Sequence, residues 1–71
     1  MKADYIMDGQ KIRGLCEKQY ITKKDLQNKA GLSDATIRRV MGGAAYPATT
    51  TTAFRIAEVL GADVAEIAQR A

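Results

Sequence analysis

The stretch LQNKAGLSDATIRRV, residues 26–40, contains a helix end and a helix start on either side of a very short turn. Gly31 follows a helical pattern in which Leu26 and Ala30 share one face, and glycine commonly follows a helix because it accepts a positive φ without steric cost. Ser33 is a typical N-cap, since its hydroxyl accepts a free backbone N–H of the first turn. Two helices joined so closely cross at a steep angle, which predicts a helix-turn-helix.

The same signals predict five helices and no strand along the rest of the chain. The first helix is expected to be capped by Asp8 and to run to Lys18, and the second to be Lys23–Ala30, capped by Thr22. The third is expected to run from Ser33 to about Met41, where Gly42 and Gly43 end it. The fourth is expected to start among threonines 49–52 and to end at Leu60, and the fifth to be Asp63–Gln69. Residues 42–48 (GGAAYPA) are predicted to be a loop, because Pro47 lacks a backbone donor and disfavours helix at Tyr46.

The predicted fold class is therefore all-α. Apolar residues recur at helical spacing, and in the third helix Ile37 and Val40 are expected to face the core. Residues 1–7 have no periodic pattern and are predicted to be a loose N-terminal arm, whereas residues 8–71 form one domain. A chain of 71 residues buries only about 60% of the surface that its unfolded form exposes, so we expect marginal stability.

The composition argues against an enzyme. The chain has no histidine, and its one cysteine, Cys16, falls at a predicted core position. Neither a Ser-His-Asp triad, nor a Cys-His pair, nor one of the usual zinc sites can be assembled from these residues. The only local acidic pair, Asp63 and Glu66, is explained by a favourable interaction with a helix dipole. We expect a non-enzymatic protein with no cofactor and no metal.

No segment predicts a membrane span or a secretory signal. The longest uncharged run, residues 40–54, includes Gly42, Gly43, Pro47 and four threonines, whereas a span requires about 20 predominantly apolar residues. One cysteine cannot form an internal disulfide, which is typical of a reducing compartment. The expected location is cytoplasmic.

The charge is unevenly distributed. Residues 11–39 hold eight bases against three acids, a net charge of +5, while the remainder holds three bases against five acids, a net charge of −2; together they account for the total of +3. This asymmetry predicts that one side of the molecule attracts a polyanion.

Most of the chain resembles the lambda-repressor-like (Cro-type, also called XRE-type) helix-turn-helix domains of phage and bacterial regulators. The resemblance rests on LQNKAGLSDATIRRVMGG, on Pro47 and on IAEVLGADVAEI. In that family Gly31 matches the turn glycine and Gly43 the glycine that ends the recognition helix. The chain departs from the family pattern at Lys23, Gln27 and Met41, where glutamine, a small residue and glutamate are common. The resemblance implies a compact five-helix domain whose helix 33–41 reads the major groove of DNA.

The predicted DNA contacts fall into two groups. Residues on or near the outer side of the third helix are expected to contact bases: Asp34, Ala35, Arg38 and Arg39. Arginine pairs with guanine O6 and N7, a methyl group suits the thymine methyl, and a carboxylate accepts from the cytosine amine. By the resemblance, Asp34, Ala35 and Arg39 occupy base-reading positions. The candidates for phosphate contacts are Lys23, Ser33, Thr36 and Tyr46.

Two classes of function remain open from the sequence. The first is a sequence-specific transcriptional regulator that binds double-stranded DNA, as a homodimer at least on DNA, with two third helices about 34 Å apart. The second is a protein-binding module of the same fold, such as an antitoxin or a regulatory partner. Salt separates them, because phosphate contacts release counterions and weaken steeply as ionic strength rises.

Overall fold

The computed structural model describes residues 3–42 and 45–71, which form five helices and three short strands. In chain order the elements are β1 (Tyr5–Met7), α1 (Gly9–Lys18), α2 (Lys23–Ala30), α3 (Asp34–Val40), β2 (Tyr46–Ala48), α4 (Thr50–Leu60), α5 (Val64–Ile67) and β3 (Ala68–Arg70). The prediction of five helices is confirmed for these residues. The prediction of no strand is wrong, so the domain is rich in helix, as predicted, but not strictly all-α.

Helices α1 to α4 each begin directly after a residue whose side chain caps them. The carboxylate of Asp8 accepts from two backbone N–H groups at the start of α1. At α2, Thr22 Oγ1 accepts from Asp25 N at 3.1 Å, and the Asp25 carboxylate accepts from Thr22 N at 3.2 Å, so each satisfies a free donor of the other. Ser33 and Thr49 cap α3 and α4 without such a reciprocal bond, their side-chain oxygens accepting from Thr36 N and Thr52 N. These predicted starts are confirmed.

The helix ends differ more from the prediction. Gly31 and Gly61 end α2 and α4 in the left-handed conformation, with φ of 68° and 64°. The C-cap of α3 is Met41, which is buried; the predicted contribution of Gly43 lies outside the described residues. The last helix ends at Ile67 instead of Gln69, because Ala68 is extended and begins β3.

The three strands form an antiparallel sheet in the order β2-β1-β3. Tyr5 lies opposite Ala48 and Arg70, and Met7 lies opposite Tyr46 and Ala68. The segment predicted to be part of a loose arm is therefore the central strand, and the end of the predicted loop 42–48 is an edge strand. Strands of three residues are too short for an alternating pattern to reveal them.

One core joins the sheet to all five helices, and even the short α5 contributes Ile67 to it. Its largest fully buried side chains are Met7, Ile12, Leu26, Ile37, Val40, Ile56 and Ile67. No charged or polar side chain is buried among the described residues. The charges therefore lie on the surface, where a partner can meet them.

Candidate nucleic-acid interface

Helix α3 presents one face to the core and the opposite face to solvent. Ile37 and Val40 are 1% and 0% exposed, and they fix the rotation of the helix about its axis. The exposed residues of its outer face are Asp34, Ala35, Arg38 and Arg39. The four residues predicted to contact bases thus share one accessible surface, which we call the outer face of α3.

Two of these residues bind each other. Arg38 Nε donates to Asp34 Oδ2 at 2.8 Å, and Arg38 Nη2 donates to the same oxygen at 2.5 Å. Their side chains are 72% and 58% exposed, so this i, i+4 pair stabilises the helix by only about 0.3–0.5 kcal/mol. Within the described ranges Arg39 has no ion-pair partner. Arg39 is therefore the guanidinium of α3 that can bind an external acceptor without first breaking an internal pair.

The hydroxyl groups at the start of α3 also interact. Ser33 Oγ accepts from Thr36 N at 3.2 Å and lies 2.9 Å from Thr36 Oγ1. Each hydroxyl has one hydrogen to donate, and the bond between them uses only one of the two. One hydroxyl hydrogen at this helix start remains available to an outside acceptor such as a phosphate oxygen.

Lys23 occupies the first position of α2 and is exposed, directly after the Thr22 cap. The hydrogen bond from the Thr22 backbone N–H lowers the pKa of the Asp25 carboxyl, with a smaller contribution from the nearby Lys29 charge. Asp25 is therefore ionised at neutral pH and offsets part of the positive charge of Lys23 and Lys24. Since α2 packs against α3, Lys23 belongs to the same helix-turn-helix unit as the outer face of α3.

Tyr46 is not in a loop, contrary to the prediction for residues 42–48. It is half-buried in β2, opposite Met7, and packs against the core. The structure thus groups the residues of α2 and α3 in one unit and places Tyr46 in the sheet. The roles of all eight residues in binding DNA stay predictions.

Tyr20, which was not among the predicted site residues, is the most exposed large apolar side chain of the described chain, at 91%. Its backbone is left-handed, with φ of 56°, the only described residue other than glycine with a positive φ. It lies between Lys18 and Lys23, so the signal available in the sequence was an aromatic residue inside a basic segment.

Other kinds of site have less support in the described parts of the chain. No group of three or more His, Cys, Asp or Glu side chains comes together there to hold a metal ion. Burial raises the pKa of the Cys16 thiol, so it is protonated at neutral pH. Among the described helices, none has the length and apolar character needed to cross a membrane.

A family model described as a helix-turn-helix domain matches residues 9–69, from the start of α1 into β3. The chain belongs to this family, as the resemblance found in the sequence predicted. No curated protein matches the chain at a significant level. Helix-turn-helix domains place their second motif helix in the major groove, and membership therefore indicates a DNA-binding regulator in general, a class that is typically non-enzymatic.

Proposed function

We propose that this protein is a sequence-specific transcriptional regulator of the phage and bacterial repressor type. The observation that carries the proposal is the outer face of α3, where four exposed side chains lie opposite the buried Ile37 and Val40. In this proposal α3 enters the major groove, α2 crosses the DNA backbone, and the +5 segment 11–39 provides the attraction to phosphate.

Arg39 is the principal base-reading residue of the proposal. Its guanidinium can donate two hydrogen bonds to guanine O6 and N7, and it has no ion pair among the described residues to give up. Ala35 offers its methyl group to a thymine methyl. Asp34 can accept from a cytosine amine through the oxygen that does not bind Arg38.

Phosphate contacts fix the register in which these bases are read. Lys23 supplies an ammonium group at the start of α2, and Ser33 and Thr36 together supply one free hydroxyl hydrogen. Tyr46 adds a phenol from β2, where the sheet limits its movement.

The proposed form on DNA is a homodimer. A helix of seven residues, α3, reads only a few base pairs, and two copies bound one turn apart, about 34 Å, double the number of specified positions. The expected operator is therefore a palindrome.

The experiment that tests the function is selection of bound sequences from a random duplex pool at low and at physiological salt. We expect enrichment of a palindromic site with half-sites about one helical turn apart. Retention of DNA without any enriched motif would contradict sequence reading. Absence of salt-sensitive retention would contradict DNA binding altogether and would favour a protein-binding module of the same fold.

Arg39→Ala tests the docking of α3. We expect it to weaken binding to the selected site by about 1–3 kcal/mol and to relax base preference at one position, because the bidentate contact to guanine is lost. Arg70→Ala is the matched control, since it removes the same charge from β3, outside the helix-turn-helix. Unchanged specific binding by Arg39→Ala, measured by titration of labelled duplex, would refute this docking.

Lys23→Ala tests the phosphate contact at the start of α2. We expect weaker binding to all sequences alike and a salt slope that decreases by about one, because one phosphate contact is lost. Arg70→Ala again serves as the control, because it removes one positive charge outside the basic segment 11–39. A change in base preference caused by Lys23→Ala would show that this lysine reads bases instead.

A further inference from the structure

Two large apolar side chains are exposed in the described ranges, and their surroundings differ. Phe54 is 52% exposed and packs against the ring of Tyr5, with the ring centroids 6.3 Å apart. Tyr20 is 91% exposed. A side chain that is almost wholly in water contributes nothing to the core, so packing gives no reason for an aromatic residue at position 20.

Three helices of this chain end in the same kind of turn. The backbone N–H of Leu32, Ala62 and Ile21 donates to the carbonyl of Gln27, Ala57 and Cys16 at the ends of α2, α4 and α1. The preceding residue is left-handed in each turn, with φ of 68° at Gly31, 64° at Gly61 and 56° at Tyr20. The first two turns use glycine, which adopts this conformation freely, whereas a residue with a Cβ is strained there. The fold alone therefore favours glycine at position 20.

The backbone on both sides of Tyr20 is anchored. Gln19 Nε2 donates to Leu60 O at 2.7 Å, which ties the end of α1 to the end of α4. Ile21, on the other side, is half-buried and packs against the core. The ring of Tyr20 is consequently held out from a defined point on the surface, and the lysines nearest in sequence, Lys18, Lys23 and Lys24, are all exposed.

We propose that Tyr20 binds the sugar-phosphate backbone of DNA beside the groove that α3 reads. The proposal rests on the proposed function, in which α2 crosses the backbone, and Tyr20 lies two residues before the Thr22 cap of that helix. The phenol hydroxyl donates to a phosphate oxygen, and the ring packs on the adjoining deoxyribose. Such a contact sets the orientation of the protein on the duplex and carries no base preference.

Tyr20→Gly tests this role because it separates folding from binding. Glycine relieves the left-handed strain, so the unfolding temperature is expected to stay level or to rise by a few degrees. The same change removes the ring and the hydroxyl. The affinity is therefore expected to fall by about tenfold for two duplexes, one of random sequence about three helical turns long and one that carries the selected site. Tyr20→Asn, which also tolerates this conformation, is expected to behave alike.

Tyr20→Phe keeps the ring and removes only the hydroxyl, and it is expected to lose about threefold of the affinity. Wild-type affinity in the Tyr20→Gly and Tyr20→Asn variants would overturn the inference while leaving the proposed function intact. A change in base preference would also overturn it, because a backbone contact cannot select bases. If the wild-type chain shows no salt-sensitive binding to either duplex, the proposed function fails first, and the inference fails with it.

Discussion

The helix-turn-helix, residues 22–41, and the sheet of β1, β2 and β3 are built in opposite ways. Both ends of α2 and the start of α3 are set by residues close by in the sequence. Thr22 and Asp25 exchange hydrogen bonds at the start of α2, Gly31 ends α2 in the left-handed conformation, and Ser33 caps α3. The sheet joins three segments of three residues each, and Tyr5 finds its partners at Ala48 and Arg70. One unit is local in sequence, and the other depends on the rest of the chain having folded.

This difference shows why the two regions carry different tasks. A helix satisfies its backbone within itself and leaves its outer side chains free, so the charged residues of α3 can be exposed without loss of hydrogen bonding. A strand must pair with another, and the sheet accordingly connects the beginning, the middle and the end of the chain. The helix-turn-helix presents the candidate site, and the sheet ties the domain together.

The largest expected effect tests whether the sheet is a structural part of the domain. Met7 is 1% exposed at the centre of the sheet, and Met7→Ala should lower the free energy of unfolding by about 2–5 kcal/mol, since a buried side chain is replaced by a cavity. Ile6→Ala is the matched control: Ile6 is in the same strand, is only half-buried, and points to the opposite face. Equal and small losses in both variants, measured by urea unfolding, would show that the sheet adds little to stability.

A smaller effect is expected in the helix-turn-helix. Asp34→Asn removes the negative charge that binds Arg38, and it should lower the free energy of unfolding by no more than about 0.5 kcal/mol, because the pair is exposed. The same variant should bind random duplex more tightly at low salt, since a like charge no longer faces the phosphates. Weaker binding to all duplexes would indicate instead that Asp34 acts by positioning Arg38.

The smallest effect concerns a hydrogen bond between the start of the sheet and α4, the helix that packs against α2. The Asp4 carboxylate accepts from Thr50 N at 2.9 Å, and this backbone hydrogen bond lowers the pKa of the carboxyl. A lowered folded-state pKa stabilises the fold above the unfolded pKa, and this contribution is lost as the pH falls through the folded value. Asp4→Asn should therefore be less stable than the wild type at neutral pH, and the difference should shrink below about pH 4. A difference that persists unchanged to pH 2 would contradict the electrostatic origin of this link.

The sequence predicted the part of the candidate site that depends on neighbouring residues in α3. The exposure of Asp34, Ala35, Arg38 and Arg39 followed from the burial of Ile37 and Val40 three residues apart. The sequence also placed Asp34 and Arg38 at i, i+4, the spacing of a helix ion pair, although the prediction assigned both residues to bases. Tyr20 could not be found in this way, because a tyrosine is not expected in the left-handed position of a helix end.

The sequence by itself determined the five helices, the N-caps of α1, α2 and α3, and the face that α3 presents, because these depend on hydrogen bonds and apolar spacing within a few residues. Only the tertiary structure decided the sheet, the early end of α5 at Ile67 and the burial of Met41. Each of these depends on partners distant along the chain: Ala68 is extended because Met7 lies opposite it. A three-residue strand carries no periodic signal of its own and exists only where another strand completes its hydrogen bonds.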